Sequence, residues 1–448
     1  MPDTAPVPPL PADTLLHLLL ALVVLLALAR ALGALAERVG LPAIVGELLT
    51  GVLLGPSLLG WLAPGVAGWL LPPEPGQMHL LDGIGQIGLL LLVALTGTHL
   101  DLRSVRRQGR TAVAVSLGGL LVPLASGVAI GFALASVLAA DGPTATAVFP
   151  LFLGVAMCVT AIPVIAKTLT DMGLLHRNIG QLTLAAGMVD DAVGWLLLSV
   201  VSAAATTGVA TGQIGVSVAV MLGFVLIAAL VGRPVVRRLM ERTTRSASPG
   251  PTVAAAVVVV LAGAATTHAL HMEAIFGAFV AGILLATAGS AVQERLAPLR
   301  TVTLSVLAPI FLATAGLRMD LTALARPDVL LAALAVLGVA IAGKFVGAYA
   351  GARISGLSTW EGLALGAGMN ARGVVEVIIA LTGLRLGVLD TAGYTVIVLV
   401  AVVTSLMAPP LLRFAMSRVA QDEEERLRAI DHATWAGQVP GTAGGAPR

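Results

Sequence analysis

Thirteen apolar segments, most of them long enough to cross a lipid bilayer, dominate this chain of 448 residues. A membrane-spanning helix needs ~20 apolar residues. Charged residues make up only 11% of the chain, against about 25% in soluble domains, which excludes a water-soluble globular protein. We therefore predict an all-α polytopic membrane protein with 13 transmembrane helices. The segments are residues 14–36, 42–60, 83–99, 111–139, 145–169, 178–206, 213–232, 252–270, 273–289, 300–317, 328–351, 359–384 and 391–413.

The loops between these segments alternate in their content of arginine. Arginines cluster in the loops after segments 3, 7 and 9, whereas four of the loops on the other side contain neither Lys nor Arg: 61–82, 140–144, 207–212 and 271–272. Positive residues mark the cytoplasmic side of a membrane protein. We expect a multi-pass protein of the cell membrane with its N-terminus outside and its C-terminus in the cytoplasm. The first segment is expected to be a retained span, because residues 1–13 lack the basic stretch of a secretory signal.

Two sequence echoes indicate an internal repeat. Residues 43–54 (AIVGELLTGVLL) and 274–285 (AIFGAFVAGILL) are identical at six of twelve positions. The ends of segments 3 and 10 also match, as GTHLDL at 97–102 and GLRMDL at 316–321. Both pairs are seven segments apart, and an odd shift places the two copies in opposite orientations. We therefore predict inverted-topology repeats, an architecture of many secondary transporters.

The repeat pairs segment 5 with segment 12, and both contain residues that break a helix. Segment 5 carries Pro163 in its middle, and proline removes a backbone hydrogen bond. Segment 12 contains Gly366-Ala367-Gly368-Met369-Asn370-Ala371-Arg372-Gly373, whose glycines and Asn370 weaken a helix. We expect two crossing, broken helices, with breaks at Pro163 and Gly368. Paired broken helices of this kind mark the binding site of a transporter.

Ionisable residues inside a membrane are expensive and are therefore candidates for function. Asp190 and Asp191 lie together in the middle of segment 6, and adjacent residues point roughly 100° apart on a helix. One carboxylate can then face a cation while the other faces a neighbouring helix. Because burial and a second negative charge both disfavour the charged form, a proton and a Na⁺ or K⁺ ion can compete for one site. That competition is the basis of cation/proton exchange.

The other ionisable residues within the predicted spans are expected to form ion pairs or to support the helices. Lys344 is one of only two lysines among 26 basic residues, and a buried lysine can lose its proton, whereas arginine cannot. We expect it to pair with one of the two aspartates; a fixed structural ion pair is the alternative. Arg372 and Glu376 lie four residues apart on one helix face and are expected to form an ion pair that supports the unwound region. Glu47 is expected to brace segment 2.

Five motifs in order resemble the monovalent cation/proton antiporter superfamily, on the branch of sodium/proton antiporters, Kef-type systems and plant cation/proton exchangers. They are Gly46-Glu47-Leu48-Leu49-Thr50-Gly51-Val52-Leu53-Leu54-Gly55-Pro56-Ser57, Thr160-Ala161-Ile162-Pro163-Val164, Val189-Asp190-Asp191, Gly343-Lys344, and Met369-Asn370-Ala371-Arg372-Gly373-Val374-Val375-Glu376. We expect the chain to lack the long C-terminal domain of Kef-type and plant members, and we therefore expect no gating by nucleotide or glutathione.

The resemblance implies a homodimer in the lipid bilayer and elevator-type alternating access, with no cofactor. It implies that segments 1–3 and 8–10 form a dimerisation scaffold and segments 4–6 and 11–13 an ion-translocating core. The expected divisions are an external segment at 1–13, the scaffold at 14–110 and 252–327, the core at 111–206 and 328–413, a linker span with a basic cytoplasmic loop at 207–251, and a cytoplasmic tail at 414–448.

The resemblance also assigns the site. It implies that Asp191 carries the cation and the proton, that Asp190 pairs with Lys344, and that Thr160 offers an oxygen ligand. The Asp-Asp form is similar to electrogenic members, whereas the Thr-Ala-Ile-Pro and Asn-Ala-Arg-Gly stretches look like those of potassium-handling exchangers. The choice between Na⁺ and K⁺ therefore stays open.

We predict a secondary antiporter that exchanges Na⁺ or K⁺ for H⁺, and not an enzyme. Two alternatives fit less well. A channel lines a continuous polar pore, whereas this chain has one compact charged centre. An intramembrane aspartyl protease needs two aspartates on different helices, one of them in a Gly-x-Gly-Asp context, and Gly187-Met188-Val189-Asp190 does not match. The formal net charge of +2 gives no reason to expect a nucleic-acid partner.

Overall fold

A computed structural model of the protein describes residues 10–72, 74–98, 102–174, 177–207 and 211–421, and Glu425. Its elements are helices: α1 (Ala12–Arg38), α2 (Ala43–Leu54), α3 (Leu59–Leu62), α4 (Pro64–Leu70), α5 (Pro75–Thr98), α6 (Leu102–Leu138), α7 (Pro143–Cys158), α8 (Ile162–Asp171), α9 (Asn178–Thr207), α10 (Thr211–Ile227), α11 (Arg233–Thr243), α12 (Gly250–Ala269), α13 (Ala274–Ala286), α14 (Ser290–Arg295), α15 (Ala297–Val302), α16 (Ala308–Gly316), α17 (Pro327–Ile354), α18 (Thr359–Met369), α19 (Val374–Arg385) and α20 (Thr391–Met416).

Several predictions from the sequence concern residues outside these ranges. They are most of the external segment 1–13, the end of the second echo at residues 99–101, and the tail after Gln421 except Glu425. The side chain of Pro163 also lies outside the described set.

The apolar helices account for the expected membrane protein. In the described ranges, ten helices are long and apolar enough to span a bilayer, and the bent pair α18 and α19 makes eleven. Segments 5 and 9 of the prediction correspond to shorter helices, because segment 5 is divided between α7 and α8 and α13 has only 13 residues. The polytopic all-helical fold is confirmed, and the number of thirteen crossings stays a prediction.

Local chemistry explains where several helices begin. α18 starts with a capping box, in which Ser358 Oγ accepts from the Glu361 amide and Glu361 Oε2 accepts from the Ser358 amide at 2.8 Å. Asp390 caps α20 by accepting from the Gly393 amide at 2.6 Å. In α6 the helix kinks at Gly109, whose φ of +57° is a conformation that favours glycine.

Two stretches depart from the boundaries expected from hydropathy. The predicted external loop 61–82 contains α4 and the first turns of α5. The predicted basic loop after segment 7 is helical as far as Thr243, because a π-helical turn at Ala228–Gly232 joins α10 to the arginine-rich α11. Hydropathy marks only where a helix becomes too polar for lipid, not where its backbone ends.

The helices pack into two groups. In the first, α5 packs on α13 and α16, α2 packs on α1 and α16, and α12 packs on α13. In the second, α6 packs on α7, α9 and α17, and α18 packs on α17, α9 and α20. The contacts between the groups include an aromatic pair, Trp195 of α9 and Phe279 of α13, whose ring centroids are 6.1 Å apart.

Glycines allow the closest approaches within the first group. A Cβ on Gly316 would lie 3.0 Å from Cα of Gly51, so α16 crosses α2 backbone to backbone. A Cβ on Gly97 would lie 3.2 Å from Cα of Gly282, so α5 crosses α13 in the same way. The same four glycines occupy matching positions in the two sequence echoes, where Gly51 corresponds to Gly282 and Gly97 to Gly316.

Candidate functional site

Two chain breaks meet in the middle of the second group of helices. Residues Val159–Ala161 separate α7 from α8, and residues Asn370–Gly373 separate α18 from α19, whose axes differ by 46°. The backbone amide of Ala161 donates to the carbonyl of Ala371 at 3.3 Å, so the two breaks cross in direct contact. The crossing places the helix ends of α7, α8, α18 and α19 around one point, beside α9.

Asp190 of α9 is held by three donors from three other elements. Ser116 of α6 donates to Oδ1 at 2.6 Å, and Thr160 in the first break donates to Oδ2 at 2.7 Å. The Lys344 ammonium of α17 lies 2.6 Å from the same Oδ2. Asp190 and these three partners are 0% exposed. A buried carboxylate with an ammonium and two hydroxyl donors has its charge compensated and its geometry fixed.

Asp191, the next residue, has no such hydrogen-bond donors around its carboxylate in the described part of the chain. It is also 0% exposed, yet neither of its carboxylate oxygens accepts a hydrogen bond from any described residue. The backbone amide of Ile162, at the start of α8, interacts electrostatically with it, as do the charges of Asp190, Glu376 and Lys344. Burying an ionised carboxylate without a partner is very unfavourable. Asp191 lacks, among the described residues, the hydrogen-bond donors that compensate the charge of Asp190.

Lys344 and Arg372 also compensate the end of the half-helix α7. Lys344 Nζ donates to the Cys158 carbonyl at 2.5 Å, and an Arg372 Nη donates to the Met157 carbonyl at 2.6 Å and to the Ala340 carbonyl at 3.2 Å. The last carbonyls of a helix have no partner within the helix and carry its negative dipole end. Two cationic side chains thus satisfy the carbonyls that the break leaves free.

The second break is held by its own charged residues. Glu376 Oε2 accepts from the Gly373 amide at 2.7 Å and so caps α19, and its other oxygen lies 4.0 Å from Arg372 Nε. Ser405 of α20 donates to the carbonyl of Arg372. Arg372 and Glu376 are both 1% exposed. They therefore form the expected pair, but their shorter bonds are to the backbone around the breaks.

The remaining predicted residues are distributed around this centre. Asn370 is fully buried in the second break, and Gly368 packs on Thr183 of α9, where a Cβ would lie 2.9 Å from Thr183 Cγ2. Pro163 follows the first break as the second residue of α8. Glu47 lies apart from the centre, 3.7 Å from Arg30 of α1, and so braces α2 against α1.

Two hydroxyl groups of the centre were missed from the sequence. Ser116 and Ser405 resemble many other serines in apolar segments, and nothing in their sequence context distinguishes them. A cluster of three or more His, Cys, Asp or Glu residues that could hold a metal ion does not occur in the described part of the chain.

The comparisons with known proteins agree with this geometry. The family model described as "Sodium/hydrogen exchanger, transmembrane" matches residues 21–418. The Na(+)/H(+) antiporter NhaS4 of Synechocystis sp. is 31% identical over 402 residues, which are 89% of this chain and 97% of that protein. Cation/H(+) antiporter 17 of Arabidopsis thaliana is 30% identical over 399 residues, 88% of this chain and 48% of that protein, so the chain spans about half the length of this relative.

A solved structure extends the comparison to the fold. The sodium proton antiporter MjNhaP1 from Methanocaldococcus jannaschii, determined at pH 8, has a TM-score of 0.62 at 18% identity, over 95% of this chain and 98% of that one. The family match covers nearly all the described helices, from α1 to α20, and with them both breaks and the aspartate pair. The resemblance stated from the motifs is therefore confirmed: the chain belongs to the sodium/hydrogen exchanger family, within the monovalent cation/proton antiporter superfamily.

Proposed function

We propose that this protein is a secondary antiporter of the cell membrane that exchanges a monovalent cation, Na⁺ or K⁺, for H⁺, with Asp191 as the carrier. One observation carries the proposal. Of two adjacent, fully buried aspartates, Asp190 has three donors and Asp191 has none among the described residues. A proton and a cation each neutralise Asp191, and they exclude one another from it. Exchange follows if the site faces one side of the membrane at a time.

We propose that the exchange is electrogenic, which means that it moves net charge across the membrane. Asp190, Asp191 and Lys344 together carry one net negative charge when all three are ionised, which one proton or one cation neutralises. If Lys344 also gives up its proton when a cation arrives, two protons exchange for one cation and charge moves across the membrane. Lysine can make this change when it is buried, whereas arginine cannot. Thr160 keeps lone pairs on its hydroxyl oxygen and is proposed as a further oxygen ligand.

The alternatives fit the geometry less well. An aspartyl protease places one proton between two carboxylates, whereas Asp190 is occupied by Ser116, Thr160 and Lys344. A channel needs an open polar path. A cavity that borders Arg372 and Glu376 has a volume of about 10 Å³, which leaves room for about one water molecule.

The exchange itself can be measured with the purified protein in liposomes that contain a pH-sensitive dye. We expect that added Na⁺ or K⁺, but not choline, dissipates an imposed proton gradient. The rate of this dissipation should depend on the membrane potential. Comparing Na⁺, K⁺ and Li⁺ at several pH values gives the selectivity. Cation currents without proton movement would support the channel instead, and a rate independent of the potential would contradict electrogenic exchange.

The proposed architecture has thirteen crossings in two inverted repeats. The broken pair α7 and α8 counts as one crossing, and α13 as another. The repeat is supported by the glycine contacts: Gly51 meets Gly316 where α2 crosses α16, and Gly282 meets Gly97 where α13 crosses α5. Because Gly51 matches Gly282 and Gly316 matches Gly97 in the two echoes, one contact is the repeat of the other.

An elevator needs one group of helices to move against the other. We assign α1–α5 and α12–α16 to the scaffold and α6–α9 and α17–α20 to the core, and we expect the scaffold to form the homodimer. On the external side, Glu273 at the start of α13 and Arg385 at the end of α19 join the two units through an ion pair of 2.5 Å. This pair cannot persist in both end states if the core moves past the scaffold.

A cross-link at this position tests the movement. We expect the double variant Glu273→Cys/Arg385→Cys, joined by a short thiol-specific cross-linker, to lose exchange and to regain it when the cross-link is reduced. Cys158, the only native cysteine, is fully buried and should not react.

The chain offers a matched control. Asp82 and Arg318 also form an ion pair on the external side, at 2.5 Å, but both lie in the proposed scaffold. Cross-linking Asp82→Cys to Arg318→Cys should leave exchange unchanged. Full exchange by the cross-linked Glu273→Cys/Arg385→Cys protein would mean that core and scaffold do not separate there, and the elevator proposal would be lost.

A further inference from the structure

Asn370 has a fully buried carboxamide that nothing in the described ranges satisfies. Its side chain is 0% exposed, and neither Oδ1 nor Nδ2 has a hydrogen-bond partner there. Leaving a buried polar group unsatisfied is unfavourable. An aliphatic residue would avoid this cost, so a carboxamide at this point calls for a ligand that completes its bonds.

The position of Asn370 is tied to that of Asp191 through the crossing of the two breaks. The next residue, Ala371, accepts a hydrogen bond from the Ala161 amide, and the Ile162 amide that follows Ala161 acts on the Asp191 carboxylate. Two residues before Asn370, Gly368 packs on Thr183, which is on the same helix as Asp191. Asn370 thus lies in the second break, between the end of α18 that packs on α9 and Ala371, which contacts the first break.

The other polar residues of this segment already have partners. Arg372 donates to the Met157 and Ala340 carbonyls, and Glu376 Oε2 accepts from the Gly373 amide. Among the carboxylate and carboxamide side chains around the crossing, Asp191 and Asn370 are the two with no hydrogen bond to any described residue. An anionic carboxylate and a neutral amide oxygen are both ligands that alkali cations accept, and the number and field strength of oxygens contribute to the selection between ions.

We propose that Asn370 gives its amide oxygen to the cation bound at Asp191 and thereby sets the preference between Na⁺ and K⁺. The inference rests on the proposed antiport at Asp191 and adds a ligand to that site. A neutral oxygen increases coordination without adding charge, so it tunes the choice of ion and leaves the count of exchanged protons unchanged. The amide Nδ2, which is a donor, remains available to a carboxylate oxygen.

The test measures the KM for Na⁺ and for K⁺ in proteoliposomes. We expect Asn370→Ala to raise the KM of the preferred ion by about tenfold, the loss expected of one contact to a charged group, and to change the ratio of the two KM values. Asn370→Asp has nearly the same shape, keeps an oxygen and adds a charge; it should retain binding but shift the ratio. Thr382→Ala, a change at a buried polar residue of α19 away from the crossing, serves as control and should keep both KM values.

A second measurement does not depend on transport. Na⁺ or K⁺ should raise the thermal stability of the detergent-solubilised wild type, and Asn370→Ala should need about tenfold more of the preferred ion for the same effect. If wild type exchanges ions, Asp191→Asn does not, and both Asn370 variants keep the wild-type KM values and stabilisation, this inference is wrong and the antiport stands. If Asp191→Asn exchanges normally, the proposed function fails first.

Discussion

Exchange should stop when Asp191 is replaced by asparagine. The carboxamide has almost the same volume as the carboxylic acid, so the packing of α9 is preserved, but it neither takes up a proton nor carries the charge that a cation must meet. A single positioned proton-transfer group typically contributes 10²–10⁴-fold to a rate. We therefore expect at least a ~100-fold loss of cation-driven proton release in proteoliposomes.

The control for this experiment lies on the same helix. Ser199 is a buried residue of α9 whose hydroxyl donates only to the Trp195 carbonyl, one turn earlier, at 3.0 Å. Ser199→Ala should exchange at the wild-type rate. The Asp191→Asn protein must also be folded, which a cooperative thermal unfolding transition can show. Undiminished exchange by a folded Asp191→Asn protein would remove the central claim about this site.

The sequence predicts the partner of Asp190 because the membrane contains so few candidates. An isolated charge inside the membrane is energetically costly, so a lysine there is expected to lie next to an acidic residue. Lys344 is the only lysine in the middle of a predicted span, and its pairing with one of the two aspartates follows. The structure brings Lys344 to Asp190 at 2.6 Å. The different surroundings of Asp190 and Asp191 agree with the expectation from their ~100° separation on a helix.

The remaining contacts could not be predicted, because they depend on how each helix is rotated and tilted against its neighbours. Packing sets those angles, and apolar length does not. Ser116 reaches Asp190 across 74 residues, and Arg372 reaches the Met157 carbonyl across 215 residues. The sequence paired Arg372 with Glu376 by their spacing, which is correct at 4.0 Å but overlooks its shorter bonds to the freed carbonyls.

The tail also contains a contact that the sequence does not predict. The four acidic residues near its start, 422–425, are typical of a solvated helix, yet Glu425 is 3% exposed and lies 2.9 Å from Arg177, just before α9. Local composition describes the average environment of such a segment. It does not show that one carboxylate finds an arginine 248 residues earlier in the chain.

The second large effect is expected at the buried pair itself. Lys344→Met leaves the Asp190 carboxylate with the Ser116 and Thr160 hydroxyls, and Asp190→Asn removes the carboxylate that forms the ion pair with Lys344. Removing one partner of a buried ion pair typically costs 3–5 kcal/mol, because the other charge stays in a medium that solvates it poorly. We expect each single variant to lose about that much free energy of unfolding, measured by equilibrium unfolding in SDS mixed micelles.

The double variant Asp190→Asn/Lys344→Met distinguishes a coupled pair from two independent contributions. Because it leaves neither charge alone, its loss should be smaller than the sum of the two single losses, and smaller than either one if the repacking is good. Independent side chains would give additive losses. Additivity within about 0.5 kcal/mol would therefore show that Lys344 stabilises the protein through the Cys158 carbonyl rather than through Asp190, and the charge counting behind electrogenic exchange would lose its basis.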